Sequence, residues 1–299
     1  VAAIFAIMSK VGVYVILRLS LLFSAAGMPE GTSSFGWQLL FLGGLATIAF
    51  GTIGVLASQA LGRLAGYSVL VSSGTLLAAI GLSQTGVTAG APLYLVSSTL
   101  TISAFFLLIE LVERGQDTLA NVLAVTQEAF GEGEEDEEVE AEVGVTIPGT
   151  LAILGISFGL CAILLAGLPP LPGFLAKFAM LTAMFNPAGL GGAGTEAEIG
   201  QATWWLTALL IVSGLSALIA MSRAGIRAFW APVDAVVPRV LLIEILPVGL
   251  LLAATVALTV QAGPVMRFME ATAEGLHQPW SYVEKVMSQP PTVRPEAER

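Results

Sequence analysis

Charged residues are scarce in this sequence. Of its 299 residues, 12 are Lys or Arg and 22 are Asp or Glu, so that 11% are charged, against about 25% in a typical soluble domain. Hydrophobic residues make up 56% of the chain, and there are 33 glycines besides. A soluble protein of this size needs more charge to cover its surface. The composition excludes a soluble enzyme, a disordered linker and a nucleic-acid-binding domain, and it predicts a chain solvated by the lipid bilayer, without a nucleic-acid partner.

Cysteine and histidine are almost absent as well. The chain has one Cys and one His, Cys161 and His277, which cannot form an internal disulfide, a Cys-rich metal site or a cluster of His ligands. We therefore expect no metal site and no cofactor. The first ten residues are apolar and have no basic segment before them, so they do not have the pattern of a signal peptide. We expect the chain to begin inside a membrane span.

The formal net charge of −10 belongs to a single segment of the chain. Residues 115–147 contain ten carboxylates and no Lys or Arg, which leaves the rest of the chain neutral. Consecutive carboxylates repel one another and favour a solvated segment. We predict an acidic loop at 115–147 on a neutral membrane body.

Long apolar runs predict an all-α polytopic membrane protein. A membrane helix needs about 20 apolar residues, and a transmembrane domain over 1–263 contains seven such segments: 1–25, 36–58, 64–84, 92–112, 149–185, 202–222 and 240–262. The segment 149–185 is too long for one plain helix and is broken at 167–173. Residues 264–299 mix apolar and charged side chains, which predicts an interfacial amphipathic helix followed by a disordered end.

Basic residues in the short connections indicate the orientation. They fall on one side if the spans alternate, and the connections 26–35, 85–91 and 186–201 contain none. The residues concerned are Arg63, Arg114, Arg223, Arg227 and Arg239. Because the side rich in Arg faces the cytoplasm, we expect the acidic loop to be cytoplasmic and the C-terminal tail to lie outside.

Two of the three lysines lie inside apolar spans. Lys10 is in the first span and Lys177 in the fifth, where no other charge occurs between Leu164 and Asn186. A cation at the bilayer centre costs at least about 2.5–3.5 kcal/mol, so such residues usually have a function. The alternative is that the ammonium groups snorkel to the interface. We favour a functional role for both lysines.

The break in the fifth span comes directly before Lys177. The residues at the break are Pro169, Pro170, Pro172 and Gly173. Proline has no N–H group, so carbonyls one turn earlier lose their helical donors, which is tolerated at membrane depth only where protein or water satisfies them. We expect a half-helix to restart near Phe174 with Lys177 in its first turn, where the positive helix end and burial both disfavour the ammonium form. A broken helix, water and such a lysine together predict a proton relay.

Other polar groups are weaker candidates for the proton path. Ser72, Ser98 and Thr101 belong to the most hydroxylated spans, where helix packing is the favoured role and the lining of a water path is the alternative. Glu110 ends the fourth span and Glu244 lies one turn into the seventh. Interfacial solvation is the favoured interpretation for both, and proton entry is the alternative.

A glycine pair predicts one close helix contact. Gly155 and Gly159 form a GxxxG pattern, which is typical of closely packed membrane helices.

The motif AGLPPLPGFLAKF at 166–178 resembles that of the antiporter-like membrane subunits shared by Mrp-type multisubunit cation/proton antiporters and respiratory complex I. MSKVGVYVILR (8–18) and RLAGYS (63–68) resemble the eighth and tenth helices of that family. SRAGIRAFW (222–230) and GPVMRFMEA (263–271) are most similar to its Mrp branch, in particular to the D-type subunits. The resemblance implies a fourteen-helix fold with two inverted repeats, in which the seven spans correspond to helices eight to fourteen.

The resemblance also implies roles for the two lysines. Lys177 corresponds to the lysine of the broken twelfth helix on the outer proton path, and Lys10 to the central hydrophilic axis. Complex I relatives often carry His or Lys in helices ten and eleven, where this chain has Ser72 and the 97–101 cluster. That departure favours the Mrp branch.

The implied function is that of a proton-translocating subunit of a Na⁺ or K⁺/proton antiporter, a secondary transporter subunit and not an enzyme, in a bacterial cell membrane. Its partners would be the other subunits of the complex, the bilayer, H⁺ and Na⁺ or K⁺. One alternative is a proton-pumping subunit of a complex I-like or hydrogenase-linked oxidoreductase. Another is an inert scaffold with degenerate lysines.

Overall fold

The computed structural model describes residues 2–25, 30–130, 149–186, 200–229, 242–278 and 280–288. In these ranges the chain forms ten α-helices: α1 (Ala2–Ala25), α2 (Glu30–Ala57), α3 (Leu61–Gly81), α4 (Thr85–Phe130), α5 (Gly149–Ala166), α6 (Pro172–Phe185), α7 (Gln201–Phe229), α8 (Leu242–Val260), α9 (Ala262–His277) and α10 (Trp280–Met287).

Seven of the described helices are long and apolar enough to cross a membrane. They are α1, α2, α3, α4, α5, α7 and α8, and the shorter apolar helix α6 follows α5 after the break. Apolar segments take this form because every backbone N–H and C=O group in lipid must be satisfied within the protein. The predicted all-α polytopic fold with one proline-broken helix is confirmed.

Helix α4 is longer than predicted at both ends. It begins at Thr85, with Pro92 inside the helix, and it has 46 residues, which is about 69 Å at 1.5 Å per residue. It therefore continues through 115–130, where we predicted the start of the acidic loop. That stretch has two carboxylates, Asp117 and Glu128, and no proline, so helix propensity extends it. The dense acidic run 132–142 lies outside the described residues.

Two apolar core clusters are stacked along the bundle. The arginine-end cluster includes Phe105, Leu108, Leu154 and Met221. The opposite-end cluster includes Leu17, Val87, Met180 and Leu206. Helices such as α4 and α7 bury one stretch of apolar side chains in each cluster. Between the two clusters lies a layer of the bundle that belongs to neither of them.

The arginine end takes its name from two side chains of α7 that close the turn between α2 and α3. Arg223 Nη2 donates hydrogen bonds to the carbonyl oxygens of Leu56 at 2.5 Å and Ser58 at 3.1 Å. Arg227 Nη2 donates to the carbonyl oxygen of Gln59 at 3.0 Å. A cation at a helix C-terminus satisfies carbonyls that lack helical donors, so these two arginines fix α7 to the end of α2.

Glycines bring α2 and α3 into backbone contact. A Cβ atom on Gly44 would lie 2.8 Å from Ala78 Cβ, and one on Gly74 would lie 2.9 Å from the Gly44 carbonyl oxygen. The pair that we predicted as a packing face behaves differently within the described residues. A Cβ on Gly159 would meet nothing within 4 Å, and one on Gly155 would only reach Phe229 at 4.0 Å. The prediction of a close GxxxG contact is therefore wrong for the described helices, because neither glycine lets the backbone of another helix approach.

Helix α9 covers the end of the bundle with its apolar face. Ala273 and Leu276 are buried, and Met266 and Met269 pack against the opposite-end cluster, while Phe268 on the other face is exposed. The helix contacts α1, α4 and α8. The interfacial position predicted for this segment stays a prediction, and the end predicted to be disordered lies mostly outside the described residues.

His277 ties the last turn of α9 to α4. Its Nε2 atom lies 3.0 Å from Thr88 Oγ1. The Thr88 hydroxyl donates to the Gln84 carbonyl oxygen at 3.0 Å, so its oxygen accepts and Nε2–H donates. Burial lowers the pKa of His277 below its ordinary value of 6.5.

We predict that Gly44→Ala lowers the free energy of unfolding by about 1–3 kcal/mol, because the added methyl group is forced against the backbone of α3. Gly43→Ala is the matched control, since a Cβ there meets nothing within 4 Å, and it is neutral or stabilising by up to about 1 kcal/mol. Thermal unfolding in detergent measures both. Equal effects of the two changes would contradict the packing described here.

We predict that the contact of α9 weakens in acid. His277 takes up a proton at lower pH in the folded than in the unfolded chain, so its stabilising contribution is complete above pH 6.5 and is lost as the pH falls below that value. The unfolding temperature of the wild type should therefore fall more between pH 7 and pH 5 than that of His277→Gln, which keeps an N–H donor. Parallel curves for the two proteins would refute this.

Candidate functional site

Buried polar side chains collect in one layer between the two core clusters. In α4, Tyr94 belongs to the opposite-end cluster and Ala104 to the arginine-end cluster, and in α7 the corresponding residues are Leu210 and Ala220. Hydroxyl residues lie between these pairs. What we call the polar layer consists of the buried Lys10, Ser72, Ser97, Ser98, Thr101 and Ser213 and the partly buried Lys177. The structure thus brings both predicted lysines and all three predicted hydroxyl residues to one level of the bundle.

Lys10 lies inside the protein and does not reach an interface. Its side chain is 2% exposed. The ammonium donates hydrogen bonds to Ser72 Oγ and, at 3.3 Å, to Ser73 Oγ, both on α3. Among the described residues no carboxylate lies within 4.0 Å of Lys10 Nζ. A charge held by hydroxyl groups in an apolar bundle is costly.

The broken helix ends α5 in a glycine turn. Gly167 has a φ of +74°. Its backbone nitrogen donates a hydrogen bond to the Leu164 carbonyl oxygen at 3.2 Å. The backbone nitrogen of Leu168 donates one to the Ile163 carbonyl oxygen at 3.1 Å. This pair of bonds is the Schellman arrangement of helix C-termini, in which glycine is favoured at the left-handed position. It leaves the carbonyl of Ala166 without a helical donor.

Lys177 supplies that missing donor. Its Nζ atom donates a hydrogen bond to the Ala166 carbonyl oxygen at 3.3 Å. Because α6 begins at Pro172, and not near Phe174 as predicted, Lys177 lies in the second turn. The expected opposition from the positive end of α6 was therefore wrong: the amine lies at the negative C-terminal end of α5, which stabilises the ammonium.

A cavity of about 30 Å³ adjoins Lys177 and reaches across to α3. The predicted residues in its lining are Ser72, Ser98, Thr101, Gly173 and Lys177. At about 10–15 Å³ for each molecule, this volume has room for about two waters. The lining also includes apolar side chains. Since Ser72 accepts the hydrogen bond of Lys10, this small cavity, which borders Lys177, is one side chain away from Lys10.

Five of the seven hydroxyl groups in the cavity lining are oriented alike. Each donates to a carbonyl of its own helix at 2.8–3.2 Å. The residues concerned are Ser68, Ser72, Ser98, Thr101 and Ser213. Such a bond uses the one hydroxyl proton, so the oxygen lone pairs remain available to accept protons from water or an ammonium group.

Three polar residues of the lining were not singled out from the sequence. They are Ser68 on α3, Tyr94 on α4 and Ser213 on α7. Ser68 and Ser213 each share a helix face with another hydroxyl residue, Ser72 at i+4 for the first and Ser216 at i+3 for the second, and this spacing is the signal that could have found them. Tyr94 lies one turn before Ser98 on the same helix, which is a similar indication.

The two carboxylates suggested as proton entry points lie at the arginine end, away from the cavity lining. Arg114 Nη1 lies 2.5 Å from Glu244 Oε1, and Arg114 Nη2 lies 3.3 Å from Glu110 Oε1. The pair Glu110–Arg114 has the spacing of neighbours on one helix face. This arrangement joins α4 to α8 through Arg114, and a role in proton entry stays a prediction.

Comparison with known proteins identifies the family. Residues 1–190, more than half of the chain, match the family described as NADH:quinone oxidoreductase/Mrp antiporter, TM. The chain belongs to this family. It is accordingly a multi-pass membrane protein.

Two relatives with curated names are similar over nearly the whole chain. A probable K(+)/H(+) antiporter subunit of the D type from Rhizobium meliloti is 59% identical over 292 residues, which cover 97% of this chain and 53% of that protein. The D-type subunit of the Na(+)/H(+) antiporter of Alkalihalophilus pseudofirmus is 27% identical over 297 residues, covering 97% and 52%. The chain thus spans about half the length of the curated relatives it matches.

A solved structure shares the fold. A chain of the Mrp complex from Dietzia sp. DQ12-45-1b matches with a TM-score of 0.67 at 17% identity, over 93% of this chain and 53% of that one. The likeness shows that the helical arrangement described above is also the fold of a chain of that complex.

We predict that Gly167→Ala lowers the free energy of unfolding by about 1–3 kcal/mol, because a Cβ at positive φ is strained. The new atom would also lie 2.7 Å from Lys177 Nζ, which displaces the amine from the Ala166 carbonyl. Gly159→Ala on the preceding helix α5 is the control, since its Cβ meets nothing within 4 Å. Thermal unfolding in detergent distinguishes them, and a neutral Gly167→Ala would be inconsistent with this geometry.

Proposed function

We propose that this chain is a proton-translocating subunit of a multisubunit K⁺ or Na⁺/proton antiporter in a bacterial cell membrane. One observation supports this most strongly: Lys177 and Ser72 border the same cavity. Lys177 donates to a carbonyl that has no helical donor at the helix break. Ser72 accepts the hydrogen bond of Lys10. Ionisable groups at membrane depth that share a hydrated space are typical of proton relays.

Protons would move between the lysines through water and hydroxyl groups. The Lys177 ammonium gives its proton to a water molecule in the cavity, and a proton from that water reaches the neutral Lys10 amine through Ser72. For this step the Ser72 hydroxyl turns from the Val69 carbonyl towards the neutral Lys10 amine, and its oxygen accepts a proton from water as it gives its own to the amine. The step leaves Lys177 neutral and Lys10 charged. Lys177 can then take up another proton, and Lys10 can give its proton to the next group on the path.

The absence of acidic groups from the described cavity lining makes this exchange sensitive to charge. The lining contains no Asp or Glu, so two ammonium groups there would repel each other in a medium of low dielectric constant. Loading one lysine therefore promotes release from the other.

The metal cation of the exchange is expected to move elsewhere in the complex. Hard cations bind carboxylate and carbonyl oxygens, and within the described residues the polar layer offers hydroxyl groups and two cationic side chains. The other subunits of the complex are the proposed partners for that step. Since the relative that is 59% identical is named for K⁺, K⁺ is the first ion to test and Na⁺ the second.

The arginine end is proposed to face the cytoplasm. It contains Arg114, Arg223 and Arg227 in the described part of the chain, in agreement with the positive-inside rule. The polar layer then exchanges protons with the outside through the opposite-end cluster.

A complex I-like function is the second candidate, because the matched family includes NADH:quinone oxidoreductase subunits. The antiporter assignment has the stronger support, since the relatives covering 97% of the chain are named as antiporter subunits. Proton flux driven by a K⁺ or Na⁺ gradient supports the first candidate, and flux driven only by quinone reduction supports the second.

We predict that Lys177→Ala abolishes cation-dependent proton flux and leaves assembly of the complex intact. The reason is that the cavity then lacks its ionisable amine. Everted membrane vesicles with a fluorescent ΔpH probe, challenged with K⁺ and then Na⁺, measure the flux, and native gels measure assembly. Lys285→Ala in α10 is the control, because this exposed lysine is remote in sequence from both spans. Normal flux in Lys177→Ala would refute the relay.

A further inference from the structure

The carbonyl that binds Lys177 is in contact with a third helix. A Cβ atom on Gly214 of α7 would lie 2.8 Å from the Ala166 carbonyl oxygen and 4.0 Å from Lys177 Nζ. We propose that Gly214 is a positioning residue of the relay, which sets the place of the Ala166 carbonyl and, through it, of the Lys177 amine. This inference rests on the proposed function.

Few contacts other than those with Gly214 and Lys177 fix the position of the Ala166 carbonyl. The described hydrogen bonds at the end of α5 use the carbonyls of Ile163 and Leu164, so the Ala166 oxygen is held by its contacts with Lys177 and α7. Its hydrogen bond to Nζ is 3.3 Å long, at the long end of the range for such bonds. A displacement of about half an ångström away from the amine therefore weakens the bond substantially.

Glycine at 214 is required for this close approach. A carbon atom at 2.8 Å from an oxygen is inside van der Waals contact, so a methyl group there would push the carbonyl or α7 aside. The missing side chain lets the backbone of α7 lie directly against the end of α5, as small residues do between membrane helices.

The neighbours of Gly214 show that α7 supports the site as a whole. Ser213 and Ala217 line the same cavity as Lys177. Helix α7 thus forms one wall of the cavity and also limits the position of the carbonyl. A shift of α7 changes the acceptor of Lys177 and the water space at the same time, which makes this helix a means of controlling proton release from the lysine.

A glycine farther along α7 provides the matched control. A Cβ on Gly225 would lie 3.0 Å from Phe158 Cε1 of α5. Gly225→Ala therefore crowds the same pair of helices, against a side chain and not against the Ala166 carbonyl.

The cavity lining in the described structure contains Lys177 and Tyr94 as its ionisable groups, with no Asp, Glu, Arg or His.

The experiment compares Gly214→Ala, Gly225→Ala and Lys177→Ala in the assembled complex, by the pH profile of K⁺- and Na⁺-dependent proton flux in everted vesicles. For Gly214→Ala we expect roughly tenfold slower flux, as for other small misplacements of reacting groups. Its profile should move to lower pH, because the charged amine loses its acceptor. Gly225→Ala should keep the wild-type profile.

The outcomes separate the two proposals. If Lys177→Ala abolishes flux while Gly214→Ala and Gly225→Ala share the wild-type profile, the role of Gly214 is overturned and the proposed function stands. If Lys177→Ala retains flux, the proposed function fails and this inference fails with it.

A second measurement decides the matter even if Gly214→Ala does not assemble. The stability cost of Gly214→Ala is measured by thermal unfolding in detergent, once in the wild-type chain and once in a Lys177→Met background. A cost that is clearly smaller in the Lys177→Met background supports coupling through the lysine. Equal costs in the two backgrounds would show that Gly214 serves packing alone.

Discussion

An ammonium group inside an apolar bundle needs a hydrogen-bond acceptor. For Lys177 the acceptor is the Ala166 carbonyl oxygen, which has no helical donor because the helix is broken after it. The glycine turn at Gly167, the restart of α6 at Pro172 and the bare backbone of α7 at Gly214 all serve this single contact. Without the break, the carbonyl of Ala166 would be used inside a continuous helix. The lysine would then have neither a partner nor the adjoining cavity.

The two lysines are held by acceptors of different kinds. Lys10 donates to serine hydroxyl groups, which can both take up and give away protons, whereas Lys177 donates to a carbonyl, which can only accept. The first arrangement passes a proton onward. The second keeps a charged amine in place until a water molecule removes its proton, so the cavity is the natural route between them.

Several of these features could be predicted from the sequence because they are rare. Two lysines in apolar spans and three prolines within four residues are conspicuous in a chain with so few charges, and the motif at 166–178 indicated the family that the comparison confirmed. The local electrostatics could not be predicted, because they depend on where the chain resumes its helix. A restart at Pro172 moves Lys177 by half a turn and places it beside the negative end of α5.

Other details depend on three-dimensional contacts that no local pattern contains. Ser68 and Ser213 come together only because α3, α4 and α7 meet at one level. Likewise, the GxxxG pair at Gly155 and Gly159 has the composition of a packing face, but the glycines that bring backbones together are Gly44 and Gly74. Composition can identify small residues, and the rotation of each helix about its axis decides which of them are used.

The stacking of the two apolar clusters on either side of the polar layer has an electrical consequence. A membrane voltage drops mainly across material of low polarisability, so most of it falls across the clusters and little of it across the hydroxyl-rich level between them. Moving one elementary charge through a full potential of 100 mV involves about 2.3 kcal/mol. A proton that shifts sideways between the lysines therefore does almost no electrical work, and the transmembrane field acts when the proton crosses one of the two insulating slabs.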